Sequence, residues 1–319
     1  MNREAAVFIA DGHGLVGNAI KNRLHAQGFK KVITGDSSVL NVAARVEALF
    51  AQSAPLYVFL IGDKSGGIRA NQNFPVDLMR DNLLAVCHVM ESARQRRVEK
   101  LLYLASSCAY PKFCEQPMRV EALMTGKLEP TNEAYATAKL AGLALCQAYR
   151  QQFEMDFISA IPANIFGPGD DFSAEDSHVV GALIRRMHEA KLHSVPEVVI
   201  WGTGSPRREF IFADDLADAC IFLMGSWDER EAINIGVGRD WSIRELAEII
   251  REVVGYQGKL TFDSTRPDGM PAKLLDSSRL RELGWQPSTN IKDGLRATYA
   301  GYLKNLDSGV GGGDARAVV

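Results

Sequence analysis

Apolar residues along this chain fall into short, nearly continuous runs separated by longer stretches in which apolar and polar positions alternate with helical period. The stretches "AAVFIA", "KKVIT", "LYVFLI", "KLLYLASS" and "FISAIP" each hold such a run, as expected of strands covered on both faces. Between them lie a helix in which Leu15, Ile20 and Leu24 share a face, a helix across "NVAARVEALFAQ", and helices predicted over 76–94 and 133–152. Strands alternating with helices predict βαβ units, so the fold class is α/β: a Rossmann-type parallel sheet with helices on both faces. After "NIFGPGDDF" the rhythm loosens. "SHVVGALIRRMHEA", "DDLADACIFLMGS" and "SIRELAEIIREVV" read as helices, and "EVVIWG" and "REFIF" as short strands. This half is expected to form a smaller, interleaved C-terminal lobe.

Composition adjusts the picture only slightly. With 319 residues and 46% hydrophobic content the chain can bury a sizeable core. A net charge of -3, spread without blocks, gives no field for nucleic acid or an anionic membrane surface, so neither partner is expected. No run approaches a membrane span, and no secretory leader is expected. Five cysteines, at 87, 108, 114, 146 and 220, follow neither zinc nor disulfide spacing, so no metal is expected and a reducing cytoplasm is the expected setting.

The chemistry begins at "DGHGLVG", where Gly12, Gly14 and Gly17 fit G-x-G-x-x-G between a strand and a helix. Glycine suits a tight turn, close backbone approach to a pyrophosphate, and close helix–sheet packing. His13, Leu15 and Val16 belong to the same loop and are expected at the cofactor. Residues 1–165 are therefore expected to be mainly a dinucleotide-binding domain. Residues 166–305 would be mainly a substrate-binding lobe, with segments returning to the first, and 306–319 a flexible glycine-rich tail. Asp36, 24 residues after Gly12, is placed to accept both ribose hydroxyls of an adenosine, and "TGDSSVLN" offers no arginine for a 2'-phosphate. The cofactor is NADPH or NADH, with a lean to NADH. Asp36 as an exposed turn residue is the alternative, as is His13 meeting a phosphate.

Tyr135 and Lys139 lie four apart on one predicted helix and face the same way. A tyrosine can move a proton at a carbonyl oxygen while hydride moves to carbon, helped by a lysine ammonium that favours its phenolate. Ser106, at the end of the fourth strand, can hold the same oxygen. In the second half Trp201 can stack on a flat base, and Arg186 and Arg208 can meet a diphosphate, although their neighbours Arg185 and Arg207 can take either place. Lys273 is a further candidate, with a surface turn as the alternative.

The stretches "SSCAYPK", "LEPTNEAYATAKLAG", "PANIFGPGDDF", "VVIWGTGSPRREFIFADDLA", "NIGVG" and "RPDGMPAKLLD", together with the glycine loop, resemble the extended short-chain dehydrogenase/reductase family to about residue 304. Within it they are similar to the GDP-sugar epimerase/reductases. The resemblance implies 3,5-epimerisation and 4-reduction of GDP-4-keto-6-deoxy-mannose, with a related 4-keto GDP-sugar, a deoxyhexose or heptose derivative, as the alternative. By motif it implies Ser106, Tyr135 and Lys139 for the reduction and Cys108 and His178 as the acid/base pair. It further implies Asn164 at the substrate, beside Ser106, Ser107 and the candidates Arg186, Trp201, Arg208 and Lys273 read from their chemistry, and a homodimer built through two helices, the second carrying Leu140, Leu143 and Leu145. A thiol and an imidazole can both exchange protons near neutral pH, which suits inversion beside a ketone. Departures fall near the cofactor. The family loop reads G-H-R-G-M-V-G, so Asp11, Gly12 and His13 stand on its first three positions, and its arginine is gone. "IGDKSGGI" likewise replaces the usual approach to Lys-Val-Gly-Gly.

Overall fold

The computed structural model describes residues 1–62, 65–173, 177–266 and 268–307. The chain opens with β1 (Val7–Ala10), α1 (Leu15–Ala26), β2 (Val32–Gly35), the short α2 (Ser37–Leu40), α3 (Ala43–Ser53) and β3 (Tyr57–Leu60). It continues through α4 (Ile68–Asn73), α5 (Pro75–Gln95), β4 (Lys100–Leu104), α6 (Glu133–Phe153) and β5 (Phe157–Pro162). The second half holds β6 (Asn164–Phe166), α7 (Val179–Leu192), β7 (Glu197–Trp201), β8 (Arg207–Phe212), α8 (Ala213–Ser226) and β9 (Ile233–Ile235). Last come β10 (Asp240–Ser242), α9 (Ile243–Val254), β11 (Lys259–Asp263), β12 (Ala272–Lys273), α10 (Ser278–Glu282) and α11 (Ile291–Asp307).

Six strands pair in parallel in the order β2-β1-β3-β4-β5-β9. β1 and β3 are buried at every position, which is why their sequences carry no alternation. The order reverses beside β1, so a crevice opens at the carboxyl ends of β1 and β3, where doubly wound sheets take their ligands. Helices cover both faces, and the Rossmann core with its smaller C-terminal lobe is as the periodicity predicts. The lobe has its own small sheet, β10-β8-β12 with β6 also on β8, and a separate pair of β7 with β11. Its core packs Phe166, Ile184, Met187, Phe210, Leu246 and Leu295. α9 is framed by strong local signals: Ser242 and Glu245 form a capping box, and Gly255 ends it with φ 74°, devices that stabilise a helix by about 1 kcal/mol each.

The chain crosses between the two cores more than once. α8 leaves the lobe sheet, packs beside α1 and joins the main core through Leu216 and Leu223, and β9 completes the main sheet. Two buried polar side chains hold the seam. Glu209 of β8 accepts the backbone N–H groups of Val237 (2.6 Å), Gly238 (2.7 Å) and Leu275 (2.8 Å). Asn234 of β9 accepts the Tyr110 hydroxyl at 2.7 Å and donates to the carbonyls of Met118 and Asp276. Residues 308–319, most of the expected tail, lie outside the described residues, as do residues 63 and 64 of "IGDKSGGI".

Candidate active site

At the end of β1 the backbone turns at Asp11, whose φ of 61° is the left-handed conformation usually left to glycine. Asp11 occupies the first glycine position of the family loop, and aspartate is among the few residues that tolerate this geometry. A Cβ on Gly12 would run into the Thr34 side chain, and one on Gly17 into the Asp11 carbonyl. These two glycines let α1 close on the sheet. Gly14 is the N-cap of α1, extended at φ -72° and ψ 175°, with no side-chain cap and no acidic residue in the first turn. The N–H groups there and the helix dipole suit a diphosphate, so the loop fits a dinucleotide. The Asp11 carboxylate folds against Gly14. Val16 is buried, Leu15 packs against the core and His13 is exposed. Asp36 is the exposed N-cap of α2, accepting the Ser38 N–H (2.9 Å) and hydroxyl (2.5 Å) on Oδ1. The Ser38 hydroxyl above all, with His13 as a smaller influence, holds its carboxyl below the ordinary value.

α6 brings Tyr135 and Lys139 to this crevice. A Cβ on Gly142 would overlap the Tyr103 ring, so glycine there lets α6 lie directly on β4. One turn earlier, Lys139 is buried, and its Nζ donates to the carbonyls of Ile61 (2.9 Å) and Leu104 (3.3 Å) at the ends of β3 and β4. It stands 5.6 Å from the centre of the Tyr135 ring. Burial raises the Tyr135 phenol above its ordinary pKa, the Cys108 sulfur adds to this, and a hydrogen bond with Ser106 opposes it. The expected help toward a phenolate is therefore absent from the net balance, and the phenol keeps its proton. Ser106 lies two residues past β4 and accepts the Cys108 N–H at 3.2 Å, which fixes the short helical turn Ser107–Ala109; Ser107 itself is buried.

Cys108 is met from three sides. Its Sγ accepts hydrogen bonds from Lys273 Nζ at 3.2 Å and Asn132 Nδ2 at 3.1 Å. Burial alone would raise the thiol, but the Lys273 ammonium, bonds from Ser106 and Lys273, and the Arg208 charge outweigh it, and the pKa falls below the ordinary value. Lys273 is buried on β12, not in a surface turn. His178 is the N-cap of α7 yet makes no side-chain capping bond. His178 is exposed, and its imidazole is lowered by desolvation, with Asp171 pulling the other way and Lys273 adding to the lowering.

The strands also separate the arginine pairs. Arg207 is committed to Asp240 (2.9 Å) and Glu245 (3.4 Å) on the outer side, whereas Arg208 lies near Cys108, Glu129 and Asp268, lowered by burial. Arg185 pairs with Glu189 at 3.1 Å, and Arg186 donates to the Val199 carbonyl on β7. Trp201 is 55% exposed at the end of β7, with the Arg266 guanidinium 4.9 Å above its ring. Asp268 holds the following turn through the Thr203 N–H and hydroxyl. Asn164 donates to the Glu209 carbonyl at 3.0 Å.

Sequence reading missed Asn132, Glu209 and Asn234. Asn132 was legible only as the residue before a helix, and the other two bond with segments far away along the chain. No group of three or more metal-ligating side chains occurs among the described residues.

Residues 7–236 match the NAD dependent epimerase/dehydratase family. The chain is 51% identical to GDP-L-fucose synthase 1 of Arabidopsis thaliana over 96% of this chain and 95% of that one. A GDP-6-OMe-4-keto-L-xylo-heptose reductase from C. jejuni superposes with a TM-score of 0.91 at 31% identity, covering 96% of this chain and 99% of that one. A GDP-L-fucose synthetase from Naegleria fowleri bound to NADP superposes at 0.89 with 26% identity, covering 97% and 95%.

Proposed function

The chain belongs to the NAD dependent epimerase/dehydratase family and, within it, to the GDP-L-fucose synthases, and from that premise we propose that it converts GDP-4-keto-6-deoxy-mannose to GDP-L-fucose by epimerisation at C3 and C5 and reduction at C4. The observation that carries this reading is the convergence of Cys108, Ser106 and Tyr135 on one another beside a glycine loop suited to a dinucleotide.

A 4-keto group acidifies the hydrogens on C3 and C5, so each inversion needs one group to take a proton and another to return one from the opposite face. Cys108 and His178 supply these groups, the thiol lowered by the Lys273 ammonium and its hydrogen bonds and the imidazole lowered by desolvation. A reduced nicotinamide dinucleotide, NADPH or NADH, supplies hydride for C4 when bound at Gly12, Gly14 and Gly17. Tyr135 gives its phenolic proton to the C4 oxygen, and its raised pKa keeps that proton in place at neutral pH. Ser106 holds the same oxygen, and Lys139 orients the cofactor end of the crevice from its anchor on β3 and β4. Arg186 and Arg208 take the diphosphate and Trp201 the base, while Ser107, Asn164 and Lys273 border the sugar. Asp36 accepts the adenosine ribose hydroxyls and inclines the enzyme to NADH.

Incubation with the 4-keto substrate in deuterated water, without reduced cofactor, should label both C3 and C5. Absence of label under conditions where substrate binds would remove the epimerase half. The likeness to a heptose reductase supports a second reading, reduction of a longer 4-keto GDP-sugar. A panel of 4-keto GDP-sugars assayed by NMR of the products separates the two by which member is preferred.

The enzyme works as a homodimer through α5 and α6. α5 presents a groove lined by Val76, Met79, Leu83, Leu84 and Cys87 together with Arg80, with Val76 68% exposed. On α6 Leu143 is buried within the chain and Leu140 and Leu145 lean on its core, so α5 carries most of the open face. A cytoplasmic setting agrees with five free cysteines, and no helix among the described residues is long and apolar enough to cross a membrane.

A further inference from the structure

Lys273 is buried on a two-residue strand, and among the described residues no carboxylate pairs with it. Removing an ammonium from water costs several kcal/mol unless a counter-charge accompanies it. The polar atom that the structure gives it is the Cys108 sulfur, 3.2 Å from Nζ, and the same sulfur accepts from Asn132 at 3.1 Å. We propose that Lys273, with Asn132, is the positioning pair that keeps Cys108 as a thiolate in the substrate-free enzyme, so that Lys273 serves the acid/base step through the sulfur rather than only by holding substrate.

The surroundings are consistent with a negative sulfur. Arg208 on β8 adds a second positive charge, and the Tyr135 phenol also faces the thiol, pushed up by the sulfur itself. Glu129, one of the carboxylates whose charge reaches Arg208, is tied to Lys112 at 3.0 Å. His178 shares Lys273 as a neighbour, and the same ammonium that favours the thiolate disfavours an imidazolium. One residue thus biases both members of the acid/base pair. The placement depends on the seam, because the Leu275 N–H is held by Glu209 and Asn234 links Tyr110, just past Cys108, to the Asp276 carbonyl.

This inference rests on the proposed role of Cys108, and its test is read on free enzyme, apart from turnover. The rate of Cys108 alkylation by iodoacetamide, followed by peptide mass spectrometry against pH, should inflect below the ordinary thiol value of about 8.5 in the parent. Lys273→Met should move the inflection up by about one unit or more, which lowers reactivity at pH 7 by roughly tenfold. Lys273→Arg should restore most of it. Asn132→Ala, which leaves β12 untouched, should move it up by less. Retained dinucleotide binding reports that each variant is folded. A parent inflection at or above 8.5 overturns the proposal whatever the variants do, and so does an unchanged inflection in folded Lys273→Met, which would leave Lys273 a substrate contact only. Deuterium exchange into substrate then separates the two levels. Loss of exchange with an unmoved inflection rejects the thiolate role alone, whereas a moved inflection with no exchange in the parent rejects the epimerase reading alone.

Discussion

Tyr135 holds its proton because burial opposes the phenolate, and a protonated phenol is what a newly formed alkoxide needs. Tyr135→Phe should therefore lower C4 reduction by about 10²- to 10⁴-fold while leaving deuterium exchange at C3 and C5 within a few-fold of the parent. Single-turnover reduction and NMR exchange measure the two halves separately, and an equal loss in both would assign Tyr135 to substrate binding. At the other end of the crevice, Asp36→Ala should cut kcat/KM for NADH at least about tenfold relative to NADPH, since the carboxylate attracts ribose hydroxyls and repels a 2'-phosphate. A parent that strongly prefers NADPH, with a ratio unmoved by the substitution, would reduce Asp36 to the cap of α2 that its bonds to Ser38 already make it. Asp170 carries a stability consequence. It is buried, and desolvation raises its carboxyl to about 7. An acid raised in the folded state costs stability as pH climbs from the unfolded value, about 3.9, through 7. Asp170→Asn should raise Tm at pH 8 and leave it nearly unchanged at pH 4, as differential scanning calorimetry would show. Ser106, Tyr135 and Lys139 were legible because local spacing on one strand and one helix sets their relation. The bond between Cys108 and Lys273 was not, because 165 residues separate them and only the fold brings them together.

Among the elements, the α5–α6 pair does two jobs: α6 carries Tyr135 and Lys139, and α5 carries the open groove. Leu83→Asp on α5 should convert the expected dimer to monomer in sedimentation equilibrium at micromolar concentration, and a parent already monomeric there would remove the dimer. The two helices are also cross-linked at Glu91, which accepts from Arg94 and Gln95 on its own helix and from the Tyr149 hydroxyl on α6 at 2.9 Å. The Arg94 bond above all lowers the Glu91 carboxyl to about 2. A depressed acid contributes stability above its unfolded value, about 4.3, and loses it as pH falls toward 2. Since Glu91 is 40% exposed, solvent screening keeps the effect within about 1 kcal/mol. The Tm difference between parent and Glu91→Gln should thus vanish across that interval. Long helices such as these were readable from period alone. Strands of two or three residues, such as β6, β9, β10 and β12, offer no window in which a period can show, and their pairing with β5 and β8 depends on residues remote in sequence.

At the scale of the whole molecule, the chain passes from the lobe sheet to the main sheet and back, so neither core is a continuous piece of sequence. That interleaving was foreseen from the loosened rhythm of the second half, but the residues that make the seam were not. Glu209 binds three backbone N–H groups from two separate segments with one buried carboxylate. Its consequence is kinetic. Amides at Val237, Gly238 and Leu275 can exchange with solvent only when that carboxylate lets go, so they should open together, as one cooperative unit, although they belong to two segments far apart along the chain. Their deuterium uptake should follow a common protection factor in the parent. In Glu209→Gln the side chain keeps one acceptor oxygen where the carboxylate had two, so Val237 and Gly238, which share Oε1, should part company with Leu275 on Oε2, and one unit should become two.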